Sequence, residues 1–194
     1  MTTSSARQFF WVGNHPGIDL VNTEAVDAHG ERLELVPDPS ALVDWVWTAG
    51  LIDTDLARQC RAVADGRERD LVAWFRRLRS AVRDLLECGD EEAAAALDDA
   101  VSAVAVRLSY RLTRPSHQLP LDAPGPLERL RLALATSALG AAGLDRSRVR
   151  RCGSPRCVLL YYDTTKNRSR RWCDMAVCGN RAKATAHYKR TKQP

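Results

Sequence analysis

The sequence predicts a mainly α-helical protein in two parts. Residues 1–147 read as a helical domain with a few short strands, and residues 148–194 as a small treble-clef-like module of one β-hairpin and one helix. Three observations predict this. Apolar residues recur at spacings of three and four through most of the first part, as one face of a helix requires. Four of the six cysteines fall late in the chain as two pairs, Cys152 with Cys157 and Cys173 with Cys178. The charge also divides: residues 148–194 hold thirteen Lys or Arg against Asp163 and Asp174, so the overall net charge of +5 conceals an acidic first part and a strongly basic second.

In chain order, Phe9 to Val12 reads as a short strand or anchor. Asn14 as a cap and Pro16 as an early helical residue then announce a helix whose buried stripe is Ile18, Val21, Ala25 and Val26. Asp19, Asn22 and Glu24 lie near it, and capping or helix-to-loop hydrogen bonding explains them better than contact with a small ligand. Arg32 to Val36 alternates as a short strand does. Asp38-Pro39 is an N-cap followed by proline at the first helical position, and Leu42, Val43, Trp45, Val46 and Ala49 make the inner face of the helix that ends at Gly50. Asp53 or Thr54 caps the next helix, with Leu56, Cys60 and Val63 inward and Gly66 as its terminator. Arg67 to Cys88 has the strongest periodicity, through Leu71, Phe75, Leu78, Val82 and Leu86. Asp90 opens an alanine-rich helix to about Ala105, after which Val106, Leu108, Tyr110 and Leu112 alternate as a strand. Prolines at 115, 120, 124 and 126 bracket an irregular connection, and Leu127, Leu130, Leu134 and Ala138 form a last core helix ending near Gly140 or Gly143.

In the C-terminal part, two thiolates on one short turn grip a single ion, and a second such turn completes the four-sulfur tetrahedron that structural zinc prefers. Gly153 and Pro155 supply turn chemistry in the first pair. The runs 157–163 and 169–173 are expected to form a hairpin across the polar loop 164–168, and Asn180 to Arg190 a helix that begins close to the last thiolate. Competing readings are weaker. Four cysteines at two equal spacings in a charge-rich segment are poor candidates for ordinary apolar burial. No apolar run of signal-peptide length precedes Gly13, so a reducing, cytoplasmic compartment is expected, where such clusters bind metal rather than form disulfides. An iron–sulfur cluster favours closer C-x2-C grouping. One structural Zn2+ held by Cys152, Cys157, Cys173 and Cys178 is the expectation.

The segment Cys173 to Lys183, with Cys178-Gly179-Asn180-Arg181 at its centre and Arg151-Cys152, Arg156-Cys157 and Arg170-Arg171-Trp172 upstream, resembles the CGNR zinc finger of bacterial proteins. In that family the finger commonly follows a helical domain called ABATE, and Trp11 to Thr23 resembles the opening of that domain. His15-Pro16 departs from it, standing where small or apolar residues are expected. The resemblance implies a transcription regulator, stress-responsive, whose N-terminal domain senses a small molecule or oligomerises.

Function then follows from charge and chemistry together. Even four thiolates on one Zn2+ leave the last 47 residues densely positive, so an anionic polymer is the natural partner and double-stranded DNA the leading one. Ala182, Ala184 and Ala186 keep the final helix slim while Arg181, Lys183, Lys189 and Arg190 reach outward to a groove. Lys166, Arg168, Arg170 and Arg171 are candidates for phosphate contact from the hairpin loop. The alternative is a zinc-stabilised module that meets an acidic protein or folded RNA. An enzyme is not expected: phosphate-binding, dinucleotide-binding and zinc-protease motifs are missing, and His15, His29, His117 and His187 are scattered. No segment approaches the roughly 20 apolar residues needed to span a bilayer.

Overall fold

The structure is a computed structural model, and it describes residues 9–27, 30–63, 68–104, 107–108 and 121–192. In chain order its elements are α1 (Pro16–Val21), β1 (Glu24–Val26), β2 (Arg32–Glu34), α2 (Pro39–Thr48), α3 (Thr54–Ala62), α4 (Glu68–Glu87), α5 (Glu91–Ser102), β3 (Arg107–Leu108), β4 (Leu121–Asp122), α6 (Pro126–Ala142), β5 (Val149–Arg151), β6 (Leu160–Tyr162) and α7 (Asn180–Lys192). The strands form three separate antiparallel pairs, β1 with β2, β3 with β4 and β5 with β6. The chain divides into two compact units: residues 36–142 form one, and residues 1–35 together with 143–194 form the other.

The first of these units is a helical bundle. Three of its helices, α2, α3 and α5, start where short acidic side chains satisfy the free N–H groups of the first turn: Asp38 accepts from Ala41 N–H at 2.8 Å, Asp53 from Leu56 at 2.7 Å and Asp90 from Ala93 at 2.9 Å, each substitutable only at a cost of about 1 kcal/mol. Gly50 ends α2 at φ +71°, a conformation that a side chain disfavours. The apolar stripes meet in a core whose largest fully buried members are Trp45, Phe75, Leu42, Leu71, Leu78 and Leu130. Trp74 donates its indole N–H to Ala100 O at 2.9 Å, fastening α4 to α5. Cys60 packs in this core and donates to Pro126 O at 3.3 Å, and burial pushes its thiol up to about 11, as an inert core cysteine requires. The helix that begins at Asp90 ends at Ser102 instead of Ala105. Of the strand expected over 106–112 only Arg107–Leu108 is described, paired with Leu121–Asp122. Gly66, Tyr110, Leu112, Pro115 and Pro120 lie outside the described residues.

The second unit brings the two ends of the sequence together. Helix α1 is capped by His15, whose Nδ1 accepts from Gly17 N–H at 3.1 Å, and not by Asn14. Asn14 takes φ +59° and donates its side-chain amide to Tyr162 O at 3.0 Å. The helix stops at Val21, so Ala25 and Val26, expected on its stripe, belong to β1 and pair with Leu33 and Arg32. Phe9 to Val12 forms no strand, because side chains occupy the backbone of Val12: Asp19 accepts its N–H at 3.1 Å and Arg170 donates to its carbonyl at 2.9 Å.

The expected hairpin between 157–163 and 169–173 is replaced by another. β6 pairs with β5 in the register Val149–Tyr162, Arg150–Tyr161 and Arg151–Leu160, so the hairpin encloses the first cysteine pair. The other edge of β6 is closed from far away in sequence. Gly13 O accepts Tyr162 N–H at 2.8 Å, and the Asn22 side chain both accepts from Leu160 N–H at 2.8 Å and donates to Leu160 O at 2.9 Å. An open strand edge is thus paired by a loop and one amide side chain.

Candidate metal centre

The first cysteine pair sits in the turn of the β5–β6 hairpin. Cys152 N–H bonds to Leu159 O at 3.0 Å and Cys157 N–H to Ser154 O at 3.0 Å, so the four intervening residues make a tight knuckle. Gly153 lets this knuckle approach the 171–173 segment. Its N–H reaches Arg171 O at 2.8 Å, and a Cβ there would stand 3.0 Å from that oxygen and 3.3 Å from the Trp172 ring.

The second pair is built on a different turn. Asp174 caps it, accepting from Ala176 N–H at 2.6 Å and Val177 N–H at 3.3 Å, and its carbonyl accepts from Cys178 at 3.0 Å and Gly179 at 3.1 Å. Residues Met175–Gly179 are therefore one π-helical turn that runs straight into α7, an irregularity that recurs at functional sites. At Gly179 a Cβ would lie 2.3 Å from Met175 Sδ and 3.2 Å from Trp172 Cδ1, so any side chain here would have to displace the exposed Met175.

The two knuckles bring all four sulfurs within 4.8 Å of one another. Cys157 and Cys173 are 3.6 Å apart and Cys173 and Cys178 3.7 Å. Tetrahedral zinc with Zn–S bonds of about 2.3 Å sets sulfurs about 3.8 Å apart, so the cluster already has the size of that shell. Cys152, Cys173 and Cys178 are buried among Leu159, Tyr161 and Ala25. Cys173 N–H also points at Cys152 Sγ, 3.4 Å away, as a donor to thiolate does. Ionisation needs a cation here. The hydrogen bond from Cys173 draws the Cys157 thiol down to about 5, while that contact and burial drive Cys173 upward, and burial with the neighbouring Cys157 charge pushes Cys178 up to about 11. Packed sulfurs do not all lose their protons together unless a divalent ion compensates them. The donor set, spacing and burial fit one zinc ion, structural in kind because four sulfurs leave no open coordination position.

Two of the four residues expected to contact phosphate, Arg168 and Arg170, are engaged within the protein. Arg170, expected on a phosphate-contacting loop, faces inward. Its Nε donates to Trp172 O at 3.0 Å, its Nη2 to the carbonyls of Val12 and Cys173, and its guanidinium lies 4.2 Å from the Tyr161 ring centroid. Arg168 takes φ +51° and reaches Ser147 Oγ at 2.7 Å and Asp145 at 3.4 Å. Both carboxylates of this region are used: Asp163, fully buried, accepts from Thr165 Oγ1 and N–H and from Arg170 N–H. The Thr165 hydroxyl first of all, with these backbone donors, holds it below the usual carboxylate range. Arg171 is exposed with its guanidinium 5.4 Å from the Trp172 ring centroid, and Lys166 is exposed in the loop.

On α7 every residue whose side chain is described is exposed except Ala182, which is half-buried. Arg181 makes no side-chain hydrogen bond or ion pair among the described residues, and Asp163 and Asp174, the two carboxylates of residues 148–194, are engaged elsewhere. Lys183 and Arg190 share the exposed surface, while the Lys189 side chain lies outside what is described. Helix-to-loop hydrogen bonding, the role expected of Asp19 and Asn22, is what Asp19 provides, whereas the partner of Asn22, a strand 138 residues away, and the inward position of Arg170 have no counterpart in the sequence expectation. Asp19, 7% exposed, accepts from Val12 and from Gly13 at 2.7 Å, and burial raises its carboxyl to about 6 against the pull of these N–H groups. The polar residues Asp19, Asn22 and Thr23, set beside the apolar Ile18, Leu20 and Val21, are the local signal of these roles in the sequence.

Comparison with protein families agrees with this geometry. The model for the CGNR zinc finger matches residues 148–191. The model named ABATE, with the description "Putative stress-induced transcription regulator", matches residues 14–147. No curated protein matches the chain.

Proposed function

Since the chain belongs to the ABATE family and ends in a CGNR zinc finger, we propose that it is a DNA-binding transcription regulator, cytoplasmic and responsive to stress, in which zinc holds a reading helix in place. The observation that carries this reading is α7. A helix of thirteen residues with no buried face among its described side chains, no acidic residue and cations at Arg181, Lys183, Arg190 and Lys192 gains nothing from projecting into water, where helices that are polar all round are unstable alone. Its first turn continues the metal-binding turn, so coordination fixes the backbone where Arg181 leaves it. That arrangement suits a major groove, with alanines allowing close approach and Arg181 the side chain best placed for a base edge.

Lys166, Arg168 and Arg171 supply phosphate contacts, and Arg170 supports the scaffold without touching nucleic acid. The helical unit of residues 36–142 has the role of sensing a small molecule or of oligomerising. Among the described residues no helix is long and apolar enough to cross a membrane.

The test is binding to fluorescent duplexes selected from a random pool, with zinc content measured in parallel. About six phosphate contacts give a slope near −5 in log K against log salt. Arg181→Ala should cut discrimination between the selected site and random duplex by roughly 1 to 3 kcal/mol, with zinc retained, whereas Lys166→Ala weakens both alike. Preference for single-stranded or folded RNA, or for an acidic polypeptide, over duplex DNA in competition would refute the reading.

A further inference from the structure

A cavity of about 250 Å³ opens onto the cysteine cluster. Phe10, Val12, Leu33, Leu159 and Val177 give it an apolar wall, and Cys157, Cys173 and Cys178 also line it. Arg156 and Arg181 bring two cations to the lining, and Asp27 and Asp174 two carboxylates. The carboxylates serve the backbone, Asp174 in its capping turn and Asp27 by accepting Glu31 N–H at 2.9 Å. A cavity of about 150 Å³ accommodates benzene, so this one has room for about ten heavy atoms. Of the four clustered cysteines Cys157 alone is not buried.

We propose that Cys157 is a modification site for small apolar electrophiles, the α,β-unsaturated aldehydes and ketones, which enter this cavity and alkylate its sulfur. Metal ligation keeps a cysteine as thiolate, the nucleophilic form. In the step, a sulfur electron pair forms a bond to the β-carbon, the carbon–carbon π pair moves through the conjugated system onto the carbonyl oxygen, and the resulting enolate takes a proton from water. Arg181 on the cavity wall offers a guanidinium to the oxygen as its charge develops. The product is a neutral thioether, a far weaker ligand, so the first knuckle loses its hold on the turn that roots α7. The consequence for DNA binding rests on the function proposed above; the modification itself does not.

The experiment treats the full-length, zinc-loaded protein with limiting cyclohex-2-enone or, separately, acrylamide, locates adducts by peptide mass and follows zinc release with a chromogenic chelator. Cys88, exposed in the other unit, is the internal standard. Because the apolar walls concentrate the enone beside its sulfur, Cys157 should react several-fold faster than Cys88 with it, freeing one zinc per adduct. The preference should shrink with acrylamide, which is polar and gains little from apolar walls. Leu33→Asp, at the half-open rim, should slow Cys157 and leave Cys88 unchanged. First labelling of Cys88 or any other cysteine, an equal preference for both reagents, or a Leu33→Asp protein with the wild-type ratio would each overturn the proposal. Adduct formation with zinc release in a protein that binds DNA no differently would instead count against the DNA reading, leaving the modification site intact.

Discussion

Asn22→Ala is expected to loosen the zinc unit more than any surface change of similar size. The side chain is 1% exposed, and its amide makes both hydrogen bonds to the outward edge of Leu160, at 2.8 and 2.9 Å. Alanine leaves a buried N–H and a buried carbonyl without partners, and each such group costs about 1–3 kcal/mol. Some relaxation will recover part of this, so a loss of about 2–4 kcal/mol is the expectation. That is a large share of a typical domain stability of about 5–15 kcal/mol. Because an ordered site is needed to hold the ion, the loss reappears in zinc affinity, where about 1.4 kcal/mol is tenfold. The assay is chelator competition for zinc beside urea unfolding of wild type and variant, with helical circular dichroism to monitor residues 36–142. A variant within about 0.5 kcal/mol of wild type, ordinary for a surface change, with unchanged zinc affinity would refute the idea that this one amide closes the strand edge.

Cys173→Ser should abolish stoichiometric zinc by elemental analysis while the ellipticity of α2 to α6 persists, since their core contains none of the four ligands. A fragment of residues 36–142, one of the two compact units, should melt cooperatively by itself; a molten fragment would show that its core is incomplete. Asp19→Asn keeps acceptors for Val12 and Gly13 but removes a buried charge. The Asp19 carboxyl is raised from 3.8 to about 6 in the folded protein, so its proton stabilises the fold fully below about pH 4, and that contribution is lost as pH rises through 6. The variant should therefore gain on wild type by about 1 kcal/mol between pH 5 and 7.5, measured as the difference between paired urea melts. Arg170→Met should lower the midpoint of zinc-unit unfolding without changing the salt slope of DNA binding, because its donors face protein carbonyls.

The sequence by itself determined whatever rests on neighbours within a few residues. Asp38, Asp53 and Asp90 announce helices because a cap acts on an N–H three residues on, and the stripe from Leu71 to Leu86 announces α4 because helical period is local. The cysteine pairs declare a four-thiolate site because each knuckle is a short turn and ligand chemistry restricts what two such turns can hold. Charge sorted the chain into an acidic and a basic part with no need of coordinates. Only the tertiary structure decided the partner of β6, the end of α1 at Val21, the inward turn of Arg170 and the cavity beside Cys157. Asn22 and Leu160 stand 138 residues apart and Arg170 and Val12 158 apart. Neither pair leaves a periodic trace. Their contacts form because a short strand with an open edge must find hydrogen-bond partners somewhere, and the chain's own beginning, not its nearest neighbours, is what the fold brings within reach.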